Sequence, residues 1–90
     1  MRETVLVIDD HEGFRESARL LLEADGFDVI GEAATGADGC RAADRLRPHL
    51  VVLDIRLPDL DGFEVTERLA NLNHPPDVLV VSSRDAPDAR

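Results

Sequence analysis

Apolar residues alternate between two patterns along the chain. Val5-Leu6-Val7-Ile8, Leu50-Val51-Val52-Leu53 and Val78-Leu79-Val80-Val81 are continuous aliphatic runs bounded by polar or turn residues. Runs of this length fit strands buried on both faces. They predict strands over Thr4–Ile8, Leu50–Asp54 and Asp77–Ser82, and the sparser Phe27–Ala33 predicts a shorter strand near a sheet edge. Between them the spacing turns helical. Phe14, Ala18, Leu21 and Leu22 form one apolar face of a helix from about Glu12 to Ala24, with Arg15, Glu16, Arg19 and Glu23 opposite and Gly26 as the stop.

Thr35, with Asp38 three residues on, reads as the N-cap of a second helix that runs to about Arg47, turns Ala37, Cys40, Ala43 and Leu46 inward and ends at Pro48. Asp61, with Glu64 at the capping-box position, opens a third helix whose inner face holds Gly62, Val65, Leu69 and Leu72. Phe63 and Val65 are both expected in the core. Asn71–Pro76 is a turn, and the polar residues from Ser83 to Arg90 read as loop or the bare start of a helix. The order βαβαβαβ implies a parallel sheet with right-handed crossovers, an α/β fold.

Ninety residues bound the chain to at most one domain with a small, aliphatic core, since Trp and Tyr are absent and Phe occurs three times. No apolar run approaches the ~18 residues needed to span a membrane, and nothing reads as a signal peptide, so a soluble cytoplasmic protein is expected. Cys40 cannot pair within the chain and reads as a small core residue. The net charge of −9 argues against a phosphate-backbone-binding surface, so no direct nucleic-acid binding by this segment is expected. All ten basic residues are arginine and none is lysine.

Part of the negative charge is placed where it carries chemistry. Parallel strands bring their C-terminal ends to one edge, where ligands of open α/β sheets bind. The first strand delivers Asp9 and Asp10 there, the third Asp54, and the fourth Ser82 followed by Ser83. Converging carboxylates repel unless a cation sits among them, and hard oxygen ligands suit Mg²⁺ or Mn²⁺ better than zinc. A hydroxyl opposite them can hydrogen-bond a phosphoryl oxygen. The pattern therefore reads as a divalent-metal site for phosphoryl chemistry with an aspartate nucleophile. Solvated strand-end caps are the plain alternative. His11 reads as a helix-start residue rather than a ligand, and His49 and His74, beside prolines, have no assigned role.

These residues resemble the receiver domain of bacterial two-component response regulators. VLVIDDHEGFRESARLLLE is similar to that family's first strand, acidic pair and first helix. VVLDIRLPDLDGFEV is similar to its phosphoacceptor segment, and VLVVSS to its fourth strand. DDH and VIGEAATG have the flavour of the branch with a helix-turn-helix output domain. The resemblance implies a flavodoxin-like doubly wound sheet of strand order 2-1-3-4 in three αβα layers. It implies that Asp54 accepts a phosphoryl group from a sensor histidine kinase, with Asp10, Asp54, Asp9 and the Arg56 backbone carbonyl as ligands of Mg²⁺ (or Mn²⁺). Ser82 would grip a phosphoryl oxygen, Ser83 would leave the entry open, and the Arg56 and Arg84 side chains would tune dephosphorylation. Any catalysis would be confined to the protein's own phosphorylation and dephosphorylation.

The family's fifth strand, with its lysine and switch aromatic, has no counterpart here, nor have its fourth and fifth helices. Residues 1–90 are therefore expected to be a partial receiver without an output domain, prone to self-association or element swapping through an open sheet edge. Two other functions compete. A haloacid-dehalogenase-type phosphatase would need an aspartate where Arg56 stands, and a dinucleotide-binding enzyme would need a Gly-rich turn where Asp9-Asp10 stands. A degenerate receiver would keep the fold as a phosphorylation-independent interaction module.

Overall fold

A computed structural model of the chain describes residues 2–82. Its elements are β1 (Thr4–Ile8), α1 (Glu12–Ala24), β2 (Asp28–Ala33), α2 (Gly36–Leu46), β3 (Leu50–Asp54), α3 (Gly62–Ala70) and β4 (Asp77–Val81). The strands form one parallel sheet in the order β2-β1-β3-β4. The expected Phe27 and Ser82 fall one residue outside their strands, within the ordinary scatter of element ends.

Helix boundaries follow from local chemistry. The α1 helix closes in a Schellman turn: Gly26, at φ 98°, donates to the Glu23 carbonyl, and Phe27 donates to that of Leu22. A residue without Cβ suits that conformation. Thr35 Oγ1 accepts the Asp38 amide at 3.1 Å, and Asp61 Oδ1 accepts the Glu64 amide at 2.8 Å, so both expected caps are present.

Alternation along the central strands divides the core in two. Leu6, Ile8, Val51 and Leu53 face α2 and α3, where they meet Ala42, Ala43, Val65 and Leu69. Val5, Val7, Val29 and Val52 face α1, where Ala18 and Leu22 pack on them. The second face is thinly covered. No residue of α1 is fully buried, and Leu21, expected on its inner face, is 73% exposed. Among the described residues α1 is the sole helix on that side, so the flank of its apolar stripe meets no neighbour. Leu79, paired with Val52 on the same face, is 53% exposed.

Phe63 corrects a second expectation: it is 77% exposed, whereas Val65 and Leu69 are fully buried. Residues two apart on a helix point to different sides, so the geometry that turns Val65 inward turns Phe63 to solvent. His49, given no role from sequence, ties strand starts together. Its Nδ1 accepts the Thr4 amide at 3.0 Å, its own amide donates to the Thr4 carbonyl, and its carbonyl accepts the Asp77 amide. Cys40 is partly buried against the core, and burial pushes its thiol up from the ordinary 9.0, as fits a packing residue. Among the described residues no helix is long and apolar enough to cross a membrane.

Candidate phosphoacceptor site

Strand register assembles the site. Asp9 follows β1 directly and keeps the ladder going, its amide donating to the Ala33 carbonyl at 3.0 Å. Asp54 ends β3 opposite Val81, and the next amide, Ile55, donates to the Val81 carbonyl at 2.9 Å. Ser82 thus leaves β4 beside the residues that follow Asp54, at the same edge as Asp9 and Asp10. Ser83 and Arg84 lie outside the described residues.

Asp9, Asp10 and Asp54 converge with His11: each offers one ligand atom, and these atoms lie within 4.8 Å of one another. Asp9 and Asp54 are 0% and 1% exposed, whereas Asp10 and His11 open to solvent. Two carboxylates at such a distance repel by roughly 3–4 kcal/mol at an effective dielectric near 20. The fold holds them with local donors. The His11 amide donates to Asp9 Oδ1 at 2.8 Å, and the Arg56 amide to Asp54 Oδ1 at 3.1 Å. His11 opens α1 as expected, and its Nδ1 also stands 3.6 Å from a carboxylate oxygen of both Asp9 and Asp10. This donor set, mostly oxygen and partly open to water, fits a hard divalent cation.

The loop from Ile55 to Asp61 is closed at its base. Arg56 and Asp61 form an antiparallel bridge, and the Gly62 amide donates to the Ile55 carbonyl at 2.9 Å. At its far side Asp59 Oδ1 accepts the Gly36 amide at 2.7 Å, and Oδ2 accepts the Ala37 amide at 2.9 Å. These bonds, that of Ala37 foremost, hold the Asp59 carboxyl below its ordinary 3.8. Behind Asp9, the Arg15 Nη1 donates to the Asp9 carbonyl at 2.6 Å. Glu32 accepts from Arg15 Nε and Arg19 Nε, and these partners, Arg19 first, draw its carboxyl below the usual 4.5. Sequence reasoning missed Asp59, Arg15 and Glu32 as supports of the site. Their partners lie between 6 and 23 residues away, across loops and strands, where no periodicity reports them.

Comparison with known proteins finds similarity over most of the chain. The sequence model of the response regulator receiver domain matches residues 5–90. The virulence-factor transcription regulator BvgA of Bordetella pertussis is 49% identical over 84 residues, which are 93% of this chain and 40% of that protein. The response regulator GacA of Pseudomonas protegens is 38% identical over 79 residues, 87% of this chain and 36% of its own length. The chain thus spans about 40% of the length of such relatives. Among solved structures, the response regulator domain of Thermotoga maritima CheB superposes with a TM-score of 0.86 at 28% identity, covering 92% of this chain and 62% of that one. A LuxR-family two-component response regulator from Aurantimonas sp. SI85-9A1 gives 0.82 at 30% identity, covering 89% and 58%.

Proposed function

The chain belongs to the response regulator receiver family, and we propose that Asp54 is its phosphoacceptor. One observation carries this reading: a buried aspartate at the end of β3 lies within reach of the acidic pair at the end of β1. In the proposed reaction an Asp54 carboxylate oxygen attacks the phosphorus of a kinase phosphohistidine in line with the imidazole nitrogen. The O–P bond forms as the P–N bond breaks, the bonding pair returns to the imidazole, and an acyl phosphate results.

Asp9, Asp10, Asp54 and the Arg56 carbonyl would hold Mg²⁺ (or Mn²⁺), which when bound offsets the charge of carboxylates and phosphoryl oxygens. Burial and the Arg56 amide fix the Asp54 carboxylate, so that much of the acceleration comes from positioning. Ser82 hydrogen-bonds a phosphoryl oxygen, Ser83 leaves the approach open, and the Arg56 and Arg84 side chains tune loss of the phosphoryl group. The phosphoryl state is relayed as a change in protein association. Residues 1–90 act as part of a receiver, in the cytoplasm, with a sensor histidine kinase as donor.

Incubation with labelled acetyl phosphate and Mg²⁺ tests the reading. Label is expected on the wild type and none on Asp54→Asn. Steady turnover of a small phosphoester would instead support a phosphatase, and absence of both label and turnover a phosphorylation-independent module.

A further inference from the structure

The geometry points to Asp59 as a positioning residue for the metal-binding loop, acting by fastening that loop to the start of α2. It rests on the reading of Asp54 and its acidic neighbours as a metal-dependent acceptor site. The α2 helix already has its own cap, because Thr35 Oγ1 takes the Asp38 amide. The two preceding amides, Gly36 and Ala37, remain without intrahelical partners. Asp59 takes both, one on each carboxylate oxygen, from 23 and 22 residues away. The neighbouring Leu60 closes the same joint: a Cβ on Gly36 would stand 3.0 Å from Leu60 Cβ and 2.9 Å from Val65 Cγ2, so helix and loop approach as closely as glycine allows.

The loop is therefore held at two places. The Arg56–Asp61 bridge and the Gly62-to-Ile55 bond fix its base, and Asp59 fixes its far side to another element. Arg56, which would offer its carbonyl to the cation, stands in the base anchor itself, three residues before Asp59. Release of the Asp59 joint leaves the base bonds alone to orient that carbonyl. Groups that orient a ligand are commonly worth 10–100-fold in metal affinity.

The test compares Asp59→Ala, Asp59→Asn and Thr35→Ala. Thr35→Ala is the control, since it weakens the start of α2 while leaving the link to the loop. Mg²⁺ affinity is measured by calorimetry, thermal stability by circular dichroism, and acetyl phosphate labelling is followed against Mg²⁺ concentration. Asp59→Ala should raise the Mg²⁺ Kd about tenfold and move half-saturation of labelling by the same factor, with the rate recovered at high Mg²⁺. Asp59→Asn, which keeps one acceptor oxygen, should fall between. Thr35→Ala should lower Tm and leave the Kd within twofold of wild type. A normal Kd in Asp59→Ala, or an equal rise in Thr35→Ala, overturns the inference while the acceptor site stands. If the wild type shows no Mg²⁺ binding that Asp10→Asn abolishes, the site reading fails and the inference falls with it.

Discussion

Arg15 Nε donates to Glu32 Oε1 at 3.0 Å, joining the first turn of α1 to the C-terminal end of β2. The same guanidinium holds the Asp9 carbonyl, and Arg19 takes the other Glu32 oxygen. One carboxylate thus braces the helix that begins immediately after the acidic pair.

Replacement of Glu32 by Gln is expected to lower stability at neutral pH by about 1 kcal/mol or less per pair, since these groups are partly solvated. Its folded-state pKa lies below the ordinary 4.5, so its contribution is complete above that value and is lost as pH falls through the folded value. Urea titrations at pH 7 and near pH 3 check this. The gap between wild type and variant should be full at the first and smaller at the second; a gap unchanged by pH would assign the effect to packing.

At Gly39 two effects of opposite sign compete. Alanine in a helix interior ordinarily gains about 1 kcal/mol over glycine. Here the new Cβ would stand 2.9 Å from Cγ1 and 3.0 Å from Cγ2 of Ile8, a fully buried strand residue, and nearer still to its Cδ1. Overpacking of a rigid core costs about 1–3 kcal/mol and should win. Gly39→Ala is therefore expected to be less stable by urea denaturation, and Ile8→Val, which removes Cδ1, should recover part of the loss.

The third helix gives a paired comparison. Phe63→Ala should change stability by no more than about 0.5 kcal/mol, as expected of an exposed position. Leu69→Ala, at a fully buried position, should cost about 2–5 kcal/mol. Equal losses in the two variants would contradict the orientation of the helix.

The strands and helix limits were legible where one local force dominates. Thr4–Ile8 and Leu50–Asp54 end where an aliphatic run meets an aspartate, and Thr35, Asp61 and Gly26 mark helix ends through bonds to near neighbours. Convergence of Asp9, Asp10 and Asp54 was legible for the same reason, because parallel strands carry their ends to a common edge. Side-chain facing was harder. Phe63 and Leu21 are hydrophobic, but hydrophobicity does not specify which element lies opposite, and both turn out exposed. Asp59, with its amide partners 22 and 23 residues away, depends on where a loop meets a helix, which no repeat or spacing encodes.

The uneven cover of the two sheet faces has a kinetic consequence. Protection of an amide against hydrogen exchange follows the free energy of the opening that exposes it, and openings of different depth coexist in one fold. The α1 helix, with no fully buried side chain, should lose its protection in shallow openings, while β1 and β3, buried on both faces, exchange only in deep ones. Asp9 and Asp10 occupy the seam between those regimes. In exchange measured by mass spectrometry, the protection gradient should fall steeply from Ile8 to Glu12, so that one wall of the acidic cluster is anchored in slow-exchanging strand and the other moves with a fast-exchanging helix.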